Sequence, residues 1–121
     1  MASTNIQSVG AVQAVINEAR TMAHAAAQQK LGELGGDGRD ACGFAQVNIY
    51  SHNGKKIDGR SKMGKLFKQA GVRQDYDRVF YVYNPSGLSC QSISALEAGA
   101  KAAADTLRSF GFDAYASSRI D

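Results

Sequence analysis

Apolar residues recur along this chain with a spacing that changes from one block to the next. From Val9 to Ala26, the residues Val9, Val12, Val15, Ile16, Ala19, Met22, Ala23 and Ala26 stand three or four positions apart, with Gln, Asn, Glu and Arg between them. That period draws an apolar stripe down a helix. Ser3 or Thr4 is a suitable cap, the alanine-rich 23–34 stretch favours helix, and the Gly35-Gly36 pair ends it. The expected plan is one domain over 1–121: an N-terminal helix at 1–34, a flexible link at 35–41 and a mixed core at 42–121.

In that core the period first drops to two. Ala45, Val47 and Ile49 alternate with Phe44, Gln46, Asn48 and Tyr50, which marks 42–50 as a strand with two unlike faces. A turn at Ser51-His52-Asn53-Gly54 follows. Ser61 then opens a short helix carrying Met63, Leu66, Phe67 and Ala70, closed by Gly71. The β-branched and aromatic run Arg78–Asn84 is a second strand. Ser94-Ala95-Leu96-Glu97 reads as a capping box for a helix bearing Leu96, Ala100, Ala103, Ala104, Leu107 and Phe110. Gly111 stops that helix, and 112–117 is a third strand. The order αβαβαβ predicts an α+β domain, with a three-stranded sheet and about three helices. A small α/β domain with parallel crossovers is the alternative.

Alternation also sorts the strand residues by face. Ala45, Val47, Ile49, Phe80, Val82, Ala114 and Ala116 form the face that should meet the helices. Phe44, Gln46, Asn48, Tyr50, Val79, Tyr81, Tyr83, Asp113, Tyr115 and Ser117 form the other. Tyrosine offers a flat apolar ring with a polar tip, which suits a ligand, a nucleobase or a second subunit. Two occupants compete for that face: the N-terminal helix, and a partner of one of those kinds. A homo-oligomer with Tyr81 or Tyr83 at its contact is expected.

Composition narrows the setting. The 121 residues are 44% apolar and 21% charged, ordinary for a globular protein. No apolar run reaches the roughly 18 residues that span a bilayer, and the first residues lack a secretory pattern, so no membrane partner is expected and the cytoplasm is the expected setting. Cys42 and Cys90 are then expected as free thiols. The net charge of +3 is uneven: eight basic against three acidic residues put +5 on 55–78 and leave −2 elsewhere. Lys55, Lys56, Arg60, Lys62, Lys65, Lys68 and Arg73 form a candidate basic patch for an anionic partner, nucleic acid included.

Candidate chemistry concentrates late in the chain. Asn84-Pro85-Ser86-Gly87 is a turn leading toward a helix start, where open N–H groups favour anions. Tyr83, Asn84, Ser86, Gly87, Gln91, Ser92 and Arg119 form the candidate ligand site: a stacking ring, small donors and a guanidinium fork. No phosphate-loop spacing is present, His24 and His52 sit in no motif, and no metal-ligand spacing joins the His and Cys residues. Catalytic, metal and cofactor residues are therefore expected to be none, and a non-enzyme is expected.

Several segments carry a resemblance: Cys42-Gly43-Phe44-Ala45, Gly64-Lys65, Tyr83-Asn84-Pro85-Ser86-Gly87, 98–104 and Tyr115–Asp121. Over roughly residues 40 to 121 the chain resembles a family of small accessory proteins of tailed bacteriophages with no assigned activity. This chain departs from that group at Gln46, where an aromatic residue is common. The resemblance implies a viral, anti-defence binding protein in the host cytoplasm, one that counters a host process by sequestering a nucleotide-like anion or binding a host protein. The alternative is a small nucleic-acid-binding module using the basic 55–78 segment and the tyrosine face.

Overall fold

The computed structural model describes residues 6–35, 41–89 and 92–120. Helix α1 spans Val9–Glu33. Its cap is Ser8, whose hydroxyl accepts from the Ala11 N–H and so occupies one of the donors that a helix start leaves open. The expected caps Ser3 and Thr4 lie outside the described residues, as do 36–40 of the expected link.

The core then runs β1 (Gly43–Tyr50), α2 (Lys62–Gln69), β2 (Arg73–Gln74), β3 (Phe80–Tyr83), α3 (Ile93–Ser109) and β4 (Asp113–Ile120). The α+β class holds, but the sheet has four strands, not three, in the order β2-β3-β1-β4. The extra strand is Arg73–Gln74, paired as Arg73↔Tyr81 and Gln74↔Phe80. Two residues are too few to show a period. Every neighbouring pair is antiparallel, which overturns the parallel-crossover alternative. β1 and β2 run the same way only at one remove, with β3 between them, the split βαβ arrangement.

Other boundaries also move: the strand expected at Arg78–Asn84 is Phe80–Tyr83. Helix α3 is capped by Ser92, whose hydroxyl accepts from Ala95 N–H, rather than by Ser94; Glu97 instead accepts from the Ser118 hydroxyl on β4. Strand β4 continues past Ser117, because Ser118, Arg119 and Ile120 pair with Ala45, Phe44 and Gly43.

The helices pack on one face of the sheet. Val47, Ile49, Phe80, Val82 and Ala114 are buried there among α1, α2 and α3. Phe67 of α2 meets Phe80 and Phe112 edge-on, with centroids 5.2 and 5.4 Å away. Burying such rings contributes about 1.5–3 kcal/mol each. Helix α1 lies against α3 through small residues. A Cβ on Gly99 would stand 3.1 Å from the Ala23 carbonyl and 3.0 Å from Ser86 Cβ, so the close approach depends on glycine there. The alanines that favour helix in the sequence thus also let the two backbones approach. No helix among the described residues is long and apolar enough to cross a membrane.

Candidate functional site

Because α1 sits with α3, it leaves the other sheet face open. Phe44, Tyr83 and Tyr115 are 40%, 53% and 51% exposed. Strand register arranges that face in rows. Arg73, Tyr81, Asn48 and Tyr115 cross all four strands; Tyr83, Gln46 and Ser117 form the next row; Phe44 and Arg119 the last. The central strands β1 and β3 carry Phe44 and Tyr83, whose rings tilt toward each other at 6.5 Å. At the far end Tyr50 meets Tyr115 edge-on at 5.8 Å.

Phe44, Gln46, Tyr83, Ser117 and Arg119 line one shallow depression of about 510 Å³ on this face. Strands β3 and β4 are both antiparallel to β1, so they run parallel to each other and end on the same side. That brings Tyr83 and Arg119 to one place. Gln46 Nε2 donates to Asn48 Oδ1 at 2.9 Å, a bond that uses neither the Gln46 oxygen nor the Asn48 side-chain N–H groups. Among the described residues neither Arg73 nor Arg119 has an ion-pair partner.

The remaining residues of the sequence-derived site are elsewhere. Ser86 is buried; its hydroxyl donates to Asn84 Oδ1 and accepts from Leu88 N–H. Asn84 Nδ2 donates to the Leu88 carbonyl, and Gly87 N–H to the Asn84 carbonyl. His24 Nδ1 donates to the Ser86 carbonyl at 3.0 Å, which ties the turn to α1. Ser92 is buried as the α3 cap. The depression beside Arg119 is lined by Tyr83 but not by Asn84, Ser86 or Ser92, whose side chains are hydrogen-bonded within the fold. Gln91 and Cys90 lie outside the described residues; Cys42 is an exposed free thiol.

The basic patch also divides. Lys62, Lys65 and Lys68 are exposed on α2, and Lys55, Lys56 and Arg60 in the loop before it. Arg60 pairs with Asp58 at 3.3 Å, and its backbone N–H donates to the same carboxylate at 2.8 Å. That N–H, then the guanidinium, holds the Asp58 carboxyl below its ordinary value. Of the seven candidates, register puts Arg73 on the open face, beside Tyr81. A second groove, of about 660 Å³, runs between α1 and the outer edge of β3, lined by Gln13, Asn17, Arg20, Arg73, Tyr81 and Tyr83.

One tyrosine is tuned. The Tyr115 hydroxyl donates to Asp113 Oδ2 at 2.7 Å, and that bond with the nearby negative charge raises its pKa above the ordinary value. The Arg108 guanidinium lies 5.4 Å from the centre of the Tyr115 ring. Among the described residues no group of three or more His, Cys, Asp or Glu could hold a metal. Alternation along β1 and β3 placed Phe44 and Tyr83 on this face, but Val79, expected beside them, is buried and precedes β3. Alternation missed Arg73, whose place depends on the two-residue β2.

No family model, curated protein or solved structure matches this chain.

Proposed function

We propose that this protein is a non-catalytic binding module for single-stranded nucleic acid, read on its open sheet face. One observation carries the reading: exposed Phe44 and Tyr83 stand side by side on the two central strands, with Gln46 and Arg119 in the same depression. Every nucleobase has a flat face, so exposed rings on adjacent strands stack unpaired bases at about 1–3 kcal/mol each. The Gln46 and Asn48 amides lie where a stacked base would turn its edge, and amides present both a donor and an acceptor. Arg73 and Arg119 flank the rings and supply positive charge for backbone phosphates. The lysines of 55–68 act on this reading as a general positive field rather than as contacts.

The resemblance to small phage proteins adds the setting to the proposal: an accessory protein that acts in the host cytoplasm by occupying its target. Sequestration of a single nucleotide would use the same Phe44–Tyr83 pair and Arg119, but not the row through Tyr81 and Tyr115. Anisotropy titrations of labelled oligonucleotides of increasing length, beside a mononucleotide, separate the two. Binding that tightens with length and weakens steeply with salt is expected, because each phosphate contact releases counterions. Equal affinity for the mononucleotide and the longer strands would transfer the reading to a small ligand. Absence of binding to either at low salt would reject both.

A further inference from the structure

Strand β4 closes one side of the sheet, and among the described residues its outer edge is unpaired from Asp113 to Ile120. Long free edges template further pairing, and proteins usually blunt them with proline, lysine, a bulge or a short strand. At the opposite side of the sheet that device is present, since β2 has two residues. Strand β4 has eight residues, no proline and no lysine, and its register with β1 is unbroken from Gly43↔Ile120 to Tyr50↔Asp113. We propose that this edge pairs with the same edge of a second copy, antiparallel about a twofold axis at Ala116, so that two sheets join into one.

Symmetry restricts the register. In such a pair directly opposed residues share a face, and the axis must pass at a residue. The open face of β4 carries Asp113, Tyr115, Ser117 and Arg119. A centre at Ala116 sets Asp113 against the partner's Arg119, and Arg119 against the partner's Asp113. Tyr115 then faces the partner's Ser117, and the two small Ala116 side chains meet on the axis. Moving the centre to Tyr115 or Ser117 breaks both charge pairs.

The charges suit that role. Arg119 is exposed and has no ion-pair partner among the described residues. Asp113 accepts from Tyr115 OH through Oδ2 and from Ala114 N–H through Oδ1, which leaves each oxygen a further lone pair for a guanidinium. Helix α3 covers the other side of β4, from which its Glu97 reaches Ser118, while its Arg108 lies over the Tyr115 ring. The pairing also keeps both open faces on one side of the joined sheet. Arg119 also borders the depression proposed to bind nucleic acid; its five N–H donors allow a carboxylate and a phosphate to be held together.

Sedimentation velocity and native mass spectrometry test it. Wild type is expected as a dimer at tens of micromolar. Asp113→Arg alone opposes Arg to Arg, and Arg119→Asp alone opposes Asp to Asp, so each should raise the dimer dissociation constant roughly tenfold. An equimolar mixture of the two variants should restore dimers, now as heterodimers with opposite charges at both ends. A cysteine test covers the case in which a charge variant misfolds. With Cys42 and Cys90 replaced by Ser, Ala116→Cys should link to itself on mild oxidation, since opposed strand residues sit about 4.5–5.5 Å apart. Ser117→Cys alone should stay unlinked, while its mixture with Tyr115→Cys should crosslink. A monomeric wild type, a mixture without heterodimers, or Ser117→Cys linking to itself would overturn the pairing.

Discussion

The Asn84 turn and the open sheet face look alike as lists of residues. Both offer serine, amide side chains and a neighbouring tyrosine. They differ in where their hydrogen bonds go. In the turn, the Ser86 hydroxyl is shared between Asn84 and Leu88, the Asn84 amide reaches Leu88, and the Ser86 carbonyl takes His24. On the sheet, Arg73 and Arg119 have no ion-pair partner among the described residues, and Phe44 and Tyr83 stand open. Small polar residues beside a turn tend to satisfy the backbone first, so they announce structure more often than a ligand. Exposed rings on a strand have no such internal use.

The largest test of this contrast is Ser86→Val. It leaves the Leu88 N–H and the Asn84 oxygen unpaired in a half-buried place and adds a methyl group beside Gly99. An unmet buried group costs about 1–3 kcal/mol and overpacking a similar amount. A loss of about 3 kcal/mol is expected, read as a fall of about 10 °C in Tm. Oligonucleotide affinity measured well below that Tm should stay at the wild-type value. If affinity falls and stability does not, the turn is a site after all and the contrast is wrong.

Phe44→Ala and Tyr83→Ala should behave in the opposite way. Each removes one stacking surface, so affinity for a single strand should drop by about 1–3 kcal/mol, or roughly 5- to 150-fold. Because both rings are exposed, stability should change by less than about 0.5 kcal/mol. Titration and thermal melts of the same samples decide the matter. A pair of variants that melt early but bind normally would make the rings structural.

How far this contrast could be read from the sequence follows from which forces leave a pattern. Burial on one side writes a period of two, so Ala45, Val47, Ile49 and Phe80 identified the helix side, and with it the face of Phe44 and Tyr83. Pairing without burial writes nothing. Ser118, Arg119 and Ile120 are exposed and are held in β4 by bonds to β1, so they passed for a tail. Arg73 and Gln74 joined the sheet in the same silent way. The direction of a small side chain is also unwritten: Ser86 and Ser92 look like donors in the sequence, and only packing shows them facing inward.

Arg73→Gln sharpens the electrostatic side of the comparison. Register sets Arg73 beside Tyr81, whereas Lys62, Lys65 and Lys68 occupy α2. A direct phosphate contact contributes about 0.7 to the logarithmic salt slope for a single strand. The Arg73 variant should lose that much slope; Lys65→Gln should lower affinity slightly and leave the slope nearly unchanged. Equal slope losses in both would place the strand across α2 as well as the sheet.

The smallest expected effect is a shift in one titration. Tyr115 donates to Asp113, and the folded state therefore favours its neutral form and raises its pKa above 10.0. The sign follows directly. A group whose folded pKa is raised adds stability below its unfolded pKa and loses it as pH climbs through the folded one. The contribution is thus full at neutral pH and disappears on the alkaline side of pH 10.0. Asp113→Asn removes the negative charge and weakens the acceptor, so phenolate absorbance attributable to Tyr115 should appear at lower pH, with Tyr115→Phe identifying its share of the signal. Since the ring is exposed, Tm at neutral pH should barely change. If Asp113→Asn leaves the alkaline titration where it was, the bond is not maintained in solution, and the Tyr115 end of the face is as free to meet a ligand as the Phe44 end.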